Sequence, residues 1–164
     1  VIEILKGVRE RGHDVHLHVI GGGEGNSPYA RRLREQCRGD NLDWVSFEGN
    51  IDKASKNRLI HSHRFGISGR IDEPFGIAVA EMVTAGCIVF VPNNGGQVEI
   101  VNHPDLVYED VPDAVDRIDK VLSDRAMQDS LRAHLTDGAE KFSVENFQIG
   151  IRNVVSDLIQ GKYT

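Results

Sequence analysis

Hydrophobic and polar positions change their spacing several times along the chain, which predicts short strands alternating with helices. Residues 1–12 carry apolar side chains at helical spacing and end at Gly12, so we predict a helix there. The next stretch, 14–20, alternates apolar and polar residues as a half-buried strand does. Residues 87–91 form a continuous apolar run, which is typical of a parallel strand covered on both faces.

The rest of the chain continues this alternation. Strands are predicted at 44–48, 64–68 and 106–108, and helices at 27–38, 52–62, 75–86, 97–101 and in the region after residue 113. Strands that alternate with helices are typical of an α/β fold. We therefore expect a single three-layer domain with a central parallel sheet and a helical C-terminal segment.

The helix predicted to follow Pro74 stands out by its composition. Pro74 favours a helix start directly after it, and Gly86 favours a stop. The residues between them are apolar on every side, so we expect this helix to be buried. It nevertheless contains one carboxylate, Glu81, and a lone buried acid is costly unless it has a partner.

A second carboxylate, Glu73, immediately precedes this helix. Because helical side chains lean toward the N-terminus, Glu81 and Glu73 could line one pocket at the helix start. The free N–H groups there suit a phosphate, and Gly76 lets a ligand approach the backbone. Carboxylates that accept hydrogen bonds from hydroxyls would then lie beside N–H groups that donate to phosphate. Together they describe a site for a sugar nucleotide. The residues alone leave another interpretation open, in which Glu73 caps the helix and Glu81 forms a salt bridge.

The segment from Glu73 to Glu81, Glu-Pro-Phe-Gly-Ile followed by three residues and Glu, resembles the E-x7-E motif of retaining glycosyltransferases with the GT-B fold, family four or group 1. Three further segments resemble the same family in order and spacing: Val19–Gly23, Val45–Gly49 and Gly95–Val101. The resemblance extends over nearly the whole chain. It implies that residues 1–164 are the C-terminal, nucleotide-sugar donor domain, a Rossmann-like half of a GT-B fold.

The resemblance also implies an activity and its site. The enzyme would transfer a sugar from a nucleotide-diphosphate sugar with retention of anomeric configuration, without a cofactor or an essential metal. Glu73 would act on the donor-sugar hydroxyls as the catalytic residue, and Glu81 would bind the ribose hydroxyls. The backbone N–H groups of Phe75, Gly76 and Ile77 would contact the sugar and the diphosphate.

Glycine loops and one strand end complete the expected donor site. Gly22 and Gly23 follow a strand, as do Gly95 and Gly96, and glycine allows a ligand to lie against the backbone. By themselves such loops are weak indicators, but the resemblance places both pairs and Asn50 near the donor. Arg70 could contact phosphate or pair with Asp72.

Composition limits the alternatives. A net charge of −6 argues against a nucleic-acid surface, and no apolar run reaches the roughly 20 residues of a membrane span. Cys37 and Cys87 have neither metal-type nor redox-type spacing, which favours reduced thiols and a cytoplasmic protein. Peripheral association of a longer protein with a membrane stays open.

The chain begins at Val1, without Met and inside a predicted helix, so we expect an N-terminally truncated fragment that lacks a preceding strand and loop. The family's diphosphate-binding Arg and Lys, and most of its acceptor site, would then precede Val1. We therefore expect the fragment alone to bind donor weakly and to be inactive. Two other functions stay open: a GT-B sugar-nucleotide epimerase or phosphorylase, and a non-catalytic scaffold.

Overall fold

The computed structural model describes residues 1–21 and 28–160, which contain eight α-helices, two 3₁₀-helices and five β-strands. The helices are α1 (Ile2–Glu10), α2 (Pro28–Gly39), α3 (Lys53–His61), α4 (Ile77–Thr84), α5 (Gln97–Val101), α6 (Val111–Ser123), α7 (Arg125–Ala139) and α8 (Val144–Ile159). The strands are β1 (Leu17–Ile20), β2 (Val45–Gly49), β3 (Phe65–Ile67), β4 (Ile88–Pro92) and β5 (Val107–Tyr108). The 3₁₀-helices are Pro104–Leu106 and Glu140–Phe142.

All strand pairings are parallel, as the sequence predicts. β1 pairs with β2 in one sheet, and β3, β4 and β5 pair in that order in a second sheet. The described residues therefore form two parallel sheets where one central sheet was expected. The division lies between β1 and β3, which are not hydrogen-bonded to each other.

Local sequence signals fix the helix ends. Asp52 begins α3, and its carboxylate accepts the Ser55 N–H at 2.9 Å. Hydrogen bonds from the Ser55 side chain and backbone hold the pKa of Asp52 below its ordinary value. At the other end of a helix, Gly86 follows α4 with φ +88°, a conformation that glycine adopts at little cost.

The main hydrophobic core surrounds β4, whose five residues are all buried. Val79 and Val83 of α4, Val121 of α6 and Leu131 of α7 pack around this strand in one cluster. A smaller cluster joins α1 to the region before β2 and contains Ile2, Leu5, Cys37 and Trp44. Burial on both faces explains why β4 is a continuous apolar run.

Helices α4 and α8 both expose large apolar side chains. The expectation that α4 is buried on every side is wrong: only Val79 and Val83 are buried, and Ile77 is 68% exposed. The helix packs through one face, and its N-terminal end reaches the surface. Apolar side chains of α8 are also exposed, including Phe147 and Leu158. None of the helices in 1–21 and 28–160 is both long and apolar enough to cross a membrane.

Candidate functional site

The site lies where the loops that follow β3 and β4 meet. These strands are parallel, so their carboxyl ends lie at the same edge of the sheet. The Asp72 N–H donates to Asn94 Oδ1 at 3.0 Å. The Gly96 N–H donates to the Glu73 carbonyl at 2.9 Å. The segment before α4 is thus hydrogen-bonded to the loop after β4.

Gly95 and Gly96 lie against this segment more closely than a larger residue could. A Cβ atom at Gly95, where φ is +72°, would collide with the Glu73 carbonyl oxygen. A Cβ atom at Gly96 would collide with the Pro74 carbonyl oxygen. Both glycines are therefore required by the close approach of two backbone segments. This packing role was not foreseen, because the two segments are more than 20 residues apart.

Gln97 joins the same two loops from inside the protein. It is fully buried, and its Nε2 donates to the Arg70 carbonyl at 2.7 Å and to the Asn94 carbonyl at 3.1 Å. Its Oε1 has no hydrogen-bond partner within the described part of the chain. Sequence reasoning missed this residue, since a Gln at a helix start usually indicates a solvated position.

Glu73 binds the beginning of α4 with its carboxylate. Its Oε1 accepts the Gly76 N–H at 3.2 Å, and its Oε2 lies 3.2 Å from Arg70 Nε. The first of these contacts is the capping role that the residues alone left open. Arg70 pairs with Glu73, and the alternative pairing with Asp72 that the sequence suggested is not formed.

The N-terminus of α4 is open on its outer side. Gly76 is the N-cap with φ +98°, and the first helical hydrogen bond runs from the Ala80 N–H to the Gly76 carbonyl at 2.9 Å. The N–H groups of Ile77, Ala78 and Val79 therefore have no acceptor inside the helix. Phe75, 49% exposed, and Ile77 form an apolar rim beside these donors.

Glu81 has a partner and is not the lone buried acid that the sequence suggested. Lys56 Nζ donates to Glu81 Oε1 at 2.6 Å and to Oε2 at 2.8 Å, and about one third of the Glu81 side chain is exposed. Lys56 lies in the first turn of α3, which begins just after the carboxyl end of β2. Glu81 is therefore directed toward the loop edge of the sheet. Sequence reasoning missed Lys56, because nothing local pairs residues 25 positions apart.

The structure brings some of the expected site residues together and leaves others apart. Backbone contacts and one carboxylate contact unite Glu73, Gly76, Gly95 and Gly96. Within residues 1–21 and 28–160, no hydrogen bond or ion pair joins Glu73 to Glu81. Asn50 is exposed, directly after β2, and Gly22 and Gly23 lie outside the described residues.

A buried tyrosine supports the loop that leads into the site. The Tyr108 hydroxyl donates to the Ser68 carbonyl at 2.5 Å, just after β3. Burial raises the pKa of this phenol to about 12, so it is neutral at ordinary pH. No group of three or more His, Cys, Asp or Glu residues suited to a metal ion occurs in the described ranges.

Comparison with known proteins assigns the chain. The model of the family described as glycosyl transferases group 1 matches residues 1–142. The chain belongs to this family. It is also 27% identical, over 157 residues, to the Dictyostelium discoideum protein "GDP-Man:Man(3)GlcNAc(2)-PP-Dol alpha-1,2-mannosyltransferase". That match takes in 92% of this chain and 31% of the relative.

Solved structures of low sequence identity share the fold of this group 1 domain. Sucrose-phosphate synthase from Thermosynechococcus elongatus superimposes with a TM-score of 0.78 at 21% identity, covering 98% of this chain and 42% of that one. Anabaena HepE, in complex with UDP and glucose, gives 0.80 at 18% identity, covering 95% and 44%. The α/β fold and the GT-B resemblance are thereby confirmed. The chain spans about a third of its curated relative and less than half of these two structures.

Proposed function

We propose that this chain is the nucleotide-sugar donor domain of a glycosyltransferase that retains anomeric configuration. The observation that carries the proposal is the open N-terminus of α4, with Glu73 in front of it and the Gly95–Gly96 loop held against it. A helix N-terminus offers unpaired N–H groups and a partial positive charge. These features suit the diphosphate of a nucleotide sugar.

The Glu73 carboxylate changes partners in this mechanism. It now accepts the Gly76 N–H, at the position where an anion would bind. An arriving diphosphate would take that N–H together with those of Phe75 and Ile77. Glu73 would then turn to the hydroxyls of the donor sugar, and Arg70 would be released toward phosphate. The helix terminus would stabilise the negative charge that develops on the leaving diphosphate.

Glu81 and the remaining candidates bind the nucleoside in this proposal. The two contacts from Lys56 hold the Glu81 carboxylate toward the loop edge, where it would accept hydrogen bonds from the ribose hydroxyls. Asn50, at the carboxyl end of β2, would lie near the base. The loop with Gly22 and Gly23 would border the nucleotide. In this proposal, none of these residues acts through a metal ion.

The names of the relatives suggest two donors to test. The Dictyostelium relative is named for GDP-mannose, and HepE was solved with UDP and glucose. The acceptor site would come largely from another domain of the full protein, and further cationic groups for the diphosphate from residues of the donor domain outside these 164. We therefore expect the 164-residue chain to bind either donor weakly and to show no turnover. Isothermal titration tests this expectation, and micromolar affinity would show that the site is more complete than we propose.

The decisive experiment uses the protein made from its full natural coding sequence. Radiolabelled GDP-mannose and UDP-glucose would be offered with a lipid or sugar acceptor, and the anomeric configuration of the product would be read by NMR. We expect Glu73→Gln to lower kcat/KM at least 100-fold, and Glu81→Gln to raise the KM for donor about 10-fold. Glu10→Gln, the same change on exposed α1, is the control and should have no effect.

Other outcomes identify the rival functions. Epimerised nucleotide sugar, or sugar phosphate formed with inorganic phosphate, would indicate a GT-B epimerase or phosphorylase. Full activity in both Glu→Gln variants would place the chemistry elsewhere. A full-length protein that folds but neither binds nor converts any donor would indicate a scaffold.

A further inference from the structure

Gln97 of α5 is fully buried although its side chain is polar. The carbonyls of Arg70 and Asn94 both accept from its Nε2, which fixes the amide, because turning it over would direct Oε1 at two carbonyl oxygens. Within the described residues this Oε1 has no partner. A buried acceptor without a partner lowers stability, and a methionine of similar size would avoid that loss. Stability alone therefore does not account for a glutamine at this position.

The two carbonyls belong to the loops that form the candidate site. A second side-chain contact between the same loops joins the Asp72 N–H to Asn94 Oδ1 at 3.0 Å. Asn94 is exposed, so water competes for its contact, whereas the contacts of Gln97 are buried. Gln97 thus provides the connection between the loops that is better protected from water.

The segment from Arg70 to Glu73 needs such support, because Asp72 has φ +58°. This left-handed conformation costs an L-residue free energy and persists only where neighbouring groups hold it. The turn at Asp72 determines how the segment presents the Arg70 guanidinium and the Glu73 carboxylate, whose Nε and Oε2 atoms lie 3.2 Å apart. Releasing the Arg70 carbonyl would let this turn relax and would move Glu73.

Gln97 also lies directly beneath the N-terminus of α4. A Cβ atom on Gly76 would lie 3.1 Å from the Gln97 Cβ, so the N-cap glycine packs on this residue. The Gly76 N–H donates to the Glu73 carboxylate. One buried side chain therefore supports both the segment that carries Glu73 and the helix terminus that Glu73 faces.

We propose that Gln97 is a positioning residue for sugar transfer, which fixes the backbone from Arg70 to Glu73 so that Glu73 meets the donor sugar. This proposal rests on the donor site proposed above. Because Gln97 is completely buried, it acts through Glu73 and not by contact with the donor. Its loss should lower turnover more than donor affinity, since a displaced catalytic group weakens the transition state while the ribose and diphosphate contacts remain.

Steady-state kinetics of the full-length protein test this role. Gln97→Met keeps the side-chain volume and removes the two hydrogen bonds. Gln128 of α7 offers a matched control: it is also buried, and its Nε2 donates to the Val121 and Leu122 carbonyls at 2.9 and 3.1 Å. We expect Gln97→Met to lower kcat at least 10-fold with a KM for donor within threefold of the wild type. Gln128→Met should change neither constant.

Amide hydrogen exchange tests the same role without turnover. In the 164-residue chain, the Asp72 and Gly96 N–H groups donate across the two loops, to Asn94 Oδ1 and to the Glu73 carbonyl. Both should exchange at least 10-fold faster in Gln97→Met than in Gln128→Met. Since both variants lose two buried hydrogen bonds of the same kind, general destabilisation affects them alike and the difference reports the loops.

The outcomes separate this proposal from the function on which it rests. A kcat for Gln97→Met equal to that of the wild type, or a raised KM with unchanged kcat, would overturn the positioning role. If the wild type converts no donor, the proposed function fails, and exchange decides whether Gln97 holds the loops: equal rates in the two variants would overturn that as well. If Gln97→Met does not fold, Gln97→Asn, which keeps the amide on a shorter side chain, takes its place with the same expected results.

Discussion

Replacing Gly95 by alanine should destabilise the chain by about 2 to 5 kcal/mol, as the sum of two separable costs. The first is conformational, because Gly95 has φ +72° and an L-residue in that region costs about 1 to 2 kcal/mol. The second is steric, because the new Cβ would collide with the Glu73 carbonyl oxygen. Relieving such a collision typically costs about 1 to 3 kcal/mol.

Two other glycines isolate these costs. Gly12 has φ +96°, and a Cβ there would meet nothing within 4 Å, so Gly12→Ala measures the conformational cost alone. Gly96 does not have a positive φ, but its Cβ would collide with the Pro74 carbonyl oxygen, so Gly96→Ala measures the steric cost alone. Alanine also restricts the unfolded chain, which lowers each measured loss by about 0.4 to 1 kcal/mol and is counted twice in the sum of the two controls, so the loss at Gly95 should exceed that sum by about 0.4 to 1 kcal/mol.

Urea unfolding followed by fluorescence and circular dichroism provides the measurement. The single tryptophan, Trp44, is buried and should report loss of the fold, and coincident circular dichroism curves would establish two-state behaviour. A loss at Gly95→Ala no larger than at Gly12→Ala would show that the loop yields freely. The close approach of the two backbone segments would then not be a constraint on the site.

Two further predictions concern side-chain pairs. A double-mutant cycle of Lys56→Met and Glu81→Gln should give a coupling energy of about 0.5 to 1 kcal/mol, which is small because both side chains are about one third exposed. The coupling energy should decrease at high salt. A coupling energy of zero at low ionic strength would contradict the ion pair. Burial raises the pKa of Tyr108 to about 12, above the value near 10 of an unfolded tyrosine. Its contribution to the free energy of unfolding is therefore complete below about pH 10 and is lost as the pH rises toward 12. Between those pH values the wild type should lose about 2 to 3 kcal/mol more stability than Tyr108→Phe, measured by urea unfolding, and parallel pH profiles would refute the assignment.

Much of the fold was predictable from local pattern. The apolar run of β4, the Asp52 cap of α3 and the stop at Gly86 each depend on residues close in sequence, so their signals survive without tertiary information. Burial of α4 was predicted wrongly. Its composition is apolar all round, but one face packs on the core and the helix end is left open near Ile77.

The candidate site was only partly predictable for a related reason. Glu73 and Glu81 could be named because their spacing relative to Pro74 and Gly86 is local. The partner of Glu81 could not be named in this way, because Lys56 lies on another helix, 25 residues earlier in the chain.

The sequence by itself determined the order of strands and helices, the parallel character of the sheet and the family to which the chain belongs. These follow from the periodicity of apolar residues and from motifs within short windows. Only the tertiary structure decided that Gly95 and Gly96 pack on the backbone of Glu73 and Pro74, that Gln97 is hydrogen-bonded to both loops, and that β1 and β3 are not hydrogen-bonded to each other. The physical reason is that backbone collisions, buried hydrogen bonds and strand edges depend on distances between segments that are far apart in the chain.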